Sequence, residues 1–489
     1  MVGDEAFINK EHGPVSIARR SFLTTLFGAF SARQVLSKGF DGDNDSYPRL
    51  VQGPMLGALG PDEATIWTRV NGKYPVEIEI DTDRRFKNPI IASQMLAKPK
   101  HDFVTVHKIR GLKSGQTYYY RVKVNHGDHL GAWARLVPDM AYMPPFKLKT
   151  APALDKKTRF RMAFGSCARL QADARQQIWD AVALWEPDLF FWLGDNVYSD
   201  SESPVILAGQ YRQQRSVVSL QKILRSVPQL AIWDDHDYGR NNHDRTNPMK
   251  KASLDVFRHY WANPSYGLPG TPGVFFSYHY GGVDFFCLDG RYYRDPDKDT
   301  DTADKTMLGS AQKAWLKDQL AKSNAPFKVL ISGSGWSSAG GPGDDSWSGF
   351  MTERNELFDY IRDHDITGVF LLSGDTHVGE INAIPWSEQG GYDFYDLVSS
   401  PLAQNTSQEY LCQQPEARMR TPYSGSTNFG IIDFDLTSGV PSLEFKLVNV
   451  QGGAVWEPLV LRADELVNGA RTWESKIDSN GVKKWQCEE

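Results

Sequence analysis

Four short segments of this sequence carry the side chains best suited to chemistry, and each stands at the end of an apolar run. FGSC, ending at Cys167, follows RFRMA; GDNVY, Gly194 to Tyr198, follows LFFWL; DDHD, Asp234 to Asp237, follows QLAIW; GDTH, Gly374 to His377, follows GVFLLS. Strands buried on both faces read as continuous apolar runs, and the loops leaving their carboxyl ends converge on one crevice. Carboxylates gathered there would repel one another unless cations neutralise them, so the pattern predicts a metal site.

The donor types narrow the choice of metal. Asp195, Asp235 and Asp375 are hard oxygen donors suited to Ca2+, Mg2+ or Mn2+, whereas Cys167 and His377 suit a transition ion. Tyr198 adds a phenolate, which favours a highly charged ion such as Fe3+. Two unlike cations are expected, with Asp195 bridging them at the roughly 3.5 to 4 Å spacing of two-metal phosphoester chemistry. Taken singly, these residues have ordinary readings: Cys167 as a small buried hydrophobe, the Gly-Asp pairs as turns or caps, His236 as half of a surface charge pair. Four such sites in order favour the metal.

Water held by such cations loses its proton near neutral pH, because its pKa falls from about 15.7 to about 7. The same ions would grip phosphoryl oxygens in line with that nucleophile, so the expected reaction is hydrolysis of a phosphoester. His236 is the candidate to stabilise or protonate the leaving oxygen, a role worth about 10²- to 10⁴-fold. Its neighbours Asp234 and Asp237 are expected to hold its tautomer and raise its pKa. Arg240, Asn241 and Asn242 follow, either touching the substrate phosphate or forming a polar turn; Arg240 and Asn242 are taken as candidates.

The order FGSC, GDNVY, WDDHD, SGDTH resembles the PhoD-like alkaline phosphatases and phosphodiesterases, a branch of the calcineurin-like metallophosphoesterases, over roughly Tyr47 to Val450. The wider superfamily has Asp-x-His first and Gly-Asn-His-Asp third; Gly-Ser-Cys and Asp-Asp-His-Asp stand here, the departure that marks the PhoD branch. The resemblance implies Fe3+ on Cys167, Asp195, Tyr198 and His377, and Ca2+ on Asp195, Asp235 and Asp375, with Mn2+ or Mg2+ as other divalent ions. GDDSWSGF and ERNEL, within Gly343 to Leu357, are similar to a family loop near the active site. The expected activity is attack of metal-bound hydroxide on a phosphomonoester at alkaline pH. One alternative is a phosphodiesterase acting on teichoic acid, phospholipid headgroups or nucleotides. Another, of a different class, is a secreted metal-containing protein that binds a surface.

Positioning these residues takes an α/β scaffold. From residue 158 to 453 strands alternate with helical patterns at Ala174 to Trp185, Val217 to Val227, Ser310 to Lys322 and Thr352 to His364. FFSYHYGGVDFFCLDG, Phe275 to Gly290, reads as a hairpin turning at Gly281-Gly282, so the sheets are mixed. The resemblance sharpens this expectation to a four-layer αββα sandwich. Before it, residues 47 to 150 alternate apolar and polar in ATIWTRV, PVEIEID, FVTVHKI and QTYYYRVKV, which predicts an all-β sandwich of immunoglobulin or fibronectin type III kind. A boundary falls at Thr150 to Leu154 with Lys156-Lys157. Within the long loop Gly333 to Gly349, placed at the cleft mouth, Trp336 and Trp347 either stack on an organic group or pack the loop down. Residues 454 to 489 form a carboxyl-terminal extension in which Pro458 to Leu466 is expected as a short helix.

Residues 1 to 46 read as signal and linker. Arg19-Arg20-Ser-Phe-Leu and the apolar Phe22 to Phe30 resemble a twin-arginine export signal, which implies the export machinery as a partner and a periplasmic or secreted location. No other stretch approaches the roughly 18 apolar residues of a membrane span. A formal charge of −6 and no basic stripe argue against a stable nucleic-acid partner, leaving a small-molecule or polymeric phosphoester as substrate. The four cysteines lack C-x-x-C spacing, which argues against a zinc knuckle. With Cys167 as a ligand, one disulfide remains possible among Cys287, Cys412 and Cys487, and Cys412 with Cys487 is the pairing expected.

Overall fold

The alternating segments form strands β1 (Leu50–Leu59), β2 (Glu63–Val70), β3 (Pro75–Asp81), β4 (Ile90–Leu96), β5 (Val104–Arg110), β6 (Thr117–Val124) and β7 (Phe146–Lys149). A computed structural model describes residues 48–124 and 145–483. Sheet β1-β2-β5 faces sheet β4-β3-β6-β7, and neighbouring strands in both are antiparallel. Strand side chains alternate between faces, and here both faces of the first sheet are used. Leu56 pairs with Ile66 and Met55 with Trp67. The first pair lies in the sandwich's own core, the second in the core of the larger half.

The larger half continues with β8 (Arg159–Gly165), β9 (Leu189–Leu193) and β10 (Gln229–Ile232), then a small hairpin of β11 (Gly267–Leu268) and β12 (Thr271–Pro272). Next come β13 (Phe276–Tyr280), β14 (Val283–Cys287), β15 (Phe327–Ile331), β16 (Val369–Ser373), β17 (Glu380–Ile384), β18 (Phe394–Val398) and β19 (Ala417–Arg418). The chain closes on β20 (Asn428–Asp435), β21 (Ser442–Asn449) and β22 (Leu459–Arg462). One mixed sheet runs β10-β9-β8-β20-β21-β22, the other β13-β14-β15-β16-β18-β17-β19. In LFFWL the Phe191 ring meets Phe285 of the other sheet at 4.9 Å, whereas Phe190 and Trp192 meet Trp179 of the helix Ile178–Trp185 at 5.5 and 4.8 Å. Phe286, beside Phe285, turns the other way to Trp315 on the helix Ser310–Lys322. The layers are therefore helix, sheet, sheet, helix. Burial of each such side chain contributes about 1.5–3 kcal/mol, so a polar residue inside this run would be costly.

Several local expectations need adjusting. Pro458 to Leu466 is no helix: Leu459 and Leu461 are buried and alternate with exposed Val460, so the segment pairs with β21 as a strand and ends in a 3-10 turn, Ala463–Glu465. Of Val217 to Val227 only Gln221–Ser226 is helical, and the helix expected from Ala174 begins at Ile178. The hairpin turns where expected: Gly281 has φ 61°, and a Cβ there would lie 2.6 Å from the Thr158 hydroxyl. Trp336 and Trp347 are fully buried and stacked on each other at 4.4 Å, so they pack the loop down and are not free to hold a substrate. Cys167 and Cys287 are free and buried, and Cys412 is disulfide-bonded. The expected partner Cys487 and the export signal lie outside the described residues. No described helix is long and apolar enough to cross a membrane.

Candidate metal centre

Cys167 lies just beyond β8, Asp195 beyond β9, Asp235 beyond β10, and Asp375 and His377 beyond β16. Leaving a strand so sharply requires unusual backbone: φ is positive at Cys167 (61°), Asp195 (51°), Asp375 (70°) and His377 (55°). Such conformations cost about 1–3 kcal/mol each and persist where the surroundings over-determine them, chiefly at functional sites. Here the loops brace one another. The Cys167 N–H donates to the Gly194 carbonyl at 3.3 Å, Ala168 N–H to the Asp195 carbonyl at 2.9 Å, Asp375 N–H to Ser166 Oγ at 3.1 Å and His377 N–H to Ser400 Oγ at 3.1 Å. Gly194, at φ 96°, lets the Asp234 loop close in: a Cβ there would sit 2.6 Å from Asp234 Cβ.

Three overlapping donor groups result, each with ligand atoms within 4.8 Å of one another: Cys167 with Asp195 and His377; Asp195 with Asp235 and His236; Asp234 with Asp235 and Asp375. Asp195 belongs to two of them and is 3.6 Å from Cys167 Sγ through Oδ2. The Tyr198 hydroxyl is 3.2 Å from His377 Nε2. Asp234 Oδ2 and Asp235 Oδ1 are buried without a hydrogen-bond partner. A buried acceptor with no donor costs about 1–3 kcal/mol, and a cation between these oxygens would remove that cost. The donor set thus fits metal, with sulfur, phenol and imidazole at one end and carboxylates at the other.

Electrostatics agree. Burial, aided by the neighbouring carboxylates and thiol, pushes Asp195 well above the usual carboxylate range; burial and neighbouring carboxylates do the same to Asp375. Burial and Asp375 push the Cys167 thiol up to about 12, and burial lifts Tyr198 as well. His377 falls to about 4, through burial and then the charge of His236. Asp235 is held low although burial opposes it, because Arg291, His236 and the Asn242 N–H favour its charge. Cations would reverse most of these shifts, since they stabilise thiolate, phenolate and carboxylate.

His236 sits in this cluster, but its support differs from expectation. Burial opposes its charge, yet Asp195, Asp200 and Asp235 together raise it to about 10. Its Nδ1 bonds Asp200, not Asp234 or Asp237. The Asp237 side chain turns inward, accepting from the Asp234 N–H at 2.8 Å and from Asn196 Nδ2 at 2.6 Å, while Asp234 pairs with Arg291. Asn242 is tied to the centre by its backbone, whose N–H donates to Asp235 Oδ2 at 2.7 Å. Arg240 is exposed and pairs with Glu202 at 3.4 Å. Sequence reasoning missed four residues: Asp234 as a member of the cluster, Asp200, Arg169, whose guanidinium lies 5.4 Å from the Tyr198 ring centre, and Arg291, which joins Asp234 to Asp345. Only Asp234 had a signal in sequence, its place inside DDHD.

The sequence matches the PhoD-like phosphatase family over residues 162–445 and the PhoD-like phosphatase N-terminal domain over residues 37–138. It is 26% identical over 379 residues to alkaline phosphatase D of Bacillus subtilis (strain 168), covering 68% of this chain and 65% of that protein. The chain thus aligns with just under two thirds of that relative's length. The fold is similar to a solved structure of PhoD, with a TM-score of 0.71 and 19% identity over 91% of this chain and 93% of that one. It is also similar to purple acid phosphatase PPD1 from yellow lupin (Lupinus luteus) seeds, with a TM-score of 0.58 and 12% identity over 91% of this chain and 78% of that one.

Proposed function

Since the chain belongs to the PhoD-like phosphatase family, we propose that it hydrolyses phosphate esters, phosphomonoesters foremost, at a pair of unlike cations. The observation that carries this reading is the run of donor groups sharing Asp195 and Asp235, with buried orphan oxygens on Asp234 and Asp235. Cys167, Asp195, Tyr198 and His377 would hold Fe3+, and Asp195, Asp235 and Asp375 would hold Ca2+ or another divalent ion. When bound, these cations supply Lewis-acid activation of water and neutralise phosphoryl charge.

The remaining work falls to side chains. Asp200 holds His236 Nδ1, which keeps the other ring nitrogen for the substrate; His236 Nε2 lies 3.9 Å from Asp195 Oδ2. A proton on Nε2 is then available to the leaving oxygen. The Asn242 N–H fixes Asp235, and the exposed side chains of Asn242 and Arg240 would meet substrate phosphate, Arg240 by exchanging Glu202 for it. Export by the twin-arginine route to the periplasm or beyond fits the Arg19-Arg20 segment and the disulfide at Cys412, since disulfides persist in oxidising compartments.

Elemental analysis of purified protein, with aryl phosphate and bis-aryl phosphate assays run in parallel before and after chelation, tests the proposal. Bound iron with calcium, and monoester turnover lost on chelation without unfolding, are expected. Cys167→Ala should lose the transition metal and its visible absorption. Full metal content in that variant, or turnover that survives complete chelation, would refute the arrangement.

A further inference from the structure

Arg169 stands two residues beyond Cys167, and its backbone is pinned from both sides. Its N–H donates to the Ala403 carbonyl at 2.8 Å, and the preceding Ala168 bridges to Ala403 and donates to the Asp195 carbonyl at 2.9 Å. The side chain is exposed, and its guanidinium carbon lies 5.4 Å from the centre of the Tyr198 ring. The centre of that ring also lies 4.1 Å from the centre of the His236 ring, tilted by 33°, and its hydroxyl is 3.2 Å from His377 Nε2. Arg169 therefore reaches the edge of the same cluster that holds the candidate ligands and the candidate proton donor.

Other arginines near the centre are already committed to carboxylates. Arg291 pairs with Asp234 and Asp345, Arg294 with Asp297 and Asp345, and Arg240 with Glu202. Among the described residues, no carboxylate lies within 4.0 Å of the Arg169 guanidinium, so its donors are free for another anion. Guanidinium presents a planar fork that matches two oxygens of a phosphoryl group, and its contact with an aromatic face pre-orients that fork at little cost in side-chain entropy.

Resting on the hydrolase reading above, we propose that Arg169 is a substrate-binding residue that grips non-bridging phosphoryl oxygens, and that it makes the site favour dianionic phosphomonoesters over monoanionic diesters. A monoester offers three such oxygens and two charges, a diester two oxygens and one. Loss of the guanidinium therefore costs the monoester more.

The test compares the metal-loaded wild type with Arg169→Met, which keeps an apolar stem over the Tyr198 ring, and Arg169→Lys, which keeps the charge but not the fork. Calorimetric titration with inorganic phosphate should show affinity at least tenfold weaker in Arg169→Met, with metal content unchanged. The monoester KM should rise about 10- to 100-fold and the diester KM less than threefold, with Lys intermediate. Phosphate affinity and both KM values within twofold of wild type in Arg169→Met would overturn the proposal, as would equal losses on the two esters. If the wild type binds phosphate, Arg169→Met does not, and neither ester is turned over, the anion site stands and the hydrolase reading falls.

Discussion

At the scale of single residues, the proposed roles separate groups that would hold cations from groups that would act on substrate. His236 touches both sets, through Asp195 on one side and Asp200 on the other. If its work is to protonate a leaving oxygen, His236→Ala should keep its metal content while kcat falls about 10²- to 10⁴-fold. The loss should be larger for an alkyl ester than for a nitroaryl ester, whose leaving group needs no proton. Asp200→Asn should lie between, about 10- to 100-fold down, as for removal of an outer partner that orients a working group. Equal losses on the two esters would point to a binding role for the imidazole instead. Asp195→Asn should behave differently and lose both cations, because its carboxylate is shared by two of the donor groups.

At the scale of elements, the site was legible wherever a strand delivered it. The candidate ligands lie beyond strand ends, and the signal is cleanest in LFFWL, apolar and buried at all five positions, because sheets covered on both faces leave no polar alternation inside the strand. What stayed hidden depends on loops meeting in space. Asp200 reaches His236 across a turn, and Arg291 joins Asp234 to Asp345 of the loop 333–349 from a segment between β14 and β15, with nothing in its local pattern to announce it. Trp336 and Trp347 were ambiguous for the same reason, since an aromatic pair in a long loop reads alike whether it faces substrate or core. Arg291 has no exposed side-chain surface and donates to Asp345 at 2.6 and 2.9 Å. Arg291→Met should therefore cost about 3–5 kcal/mol of stability in urea unfolding, the usual loss when one partner of a buried pair is removed. A second element-level effect sits in β5. His107 is fully buried between the Thr105 and Ser93 hydroxyls, and burial lowers its pKa from 6.5 to about 4. A histidine depressed in the folded state contributes stability that is complete above the unfolded pKa and declines as pH falls from about 6.5 toward 4. At about 1.4 kcal/mol per unit the loss is at most about 3 kcal/mol. His107→Gln should flatten the stability profile across that window, and an unchanged slope would exclude His107 as its source.

At the scale of the whole molecule, the sandwich is built into the larger half and does not hang from it as a separate module. Trp67 Nε1 donates to the His259 carbonyl at 2.7 Å, Tyr278 OH to the Leu59 carbonyl at 2.7 Å and Tyr120 OH to the Arg225 carbonyl at 2.8 Å. Gly57 permits the closest approach, since a Cβ there would lie 2.3 Å from Ala262 Cβ. Asp102 joins the halves most directly. Held at φ 52° at the end of the 3-10 turn Pro99–His101, it accepts from Arg69 Nη2 at 3.0 Å within the sandwich, from Arg212 Nη1 at 2.9 Å on the helix Pro204–Gln214, and from the Tyr260 hydroxyl. Burial opposes its charge, but these partners outweigh burial and hold the carboxyl below its usual range. Its contribution is therefore complete above the ordinary aspartate pKa and is lost as pH falls through the lower folded value. Asp102→Ala would leave two guanidinium groups without their shared acceptor, at a cost of about 3–5 kcal/mol near neutral pH. Because those groups belong to different halves, the loss should fall on their coupling. The wild type should melt in one calorimetric transition and Asp102→Ala in two, with the donor cluster around Asp195 still able to bind its metals below the second. One transition of undiminished enthalpy in the variant would show that the apolar contacts of Met55 and Trp67 suffice to hold the halves together.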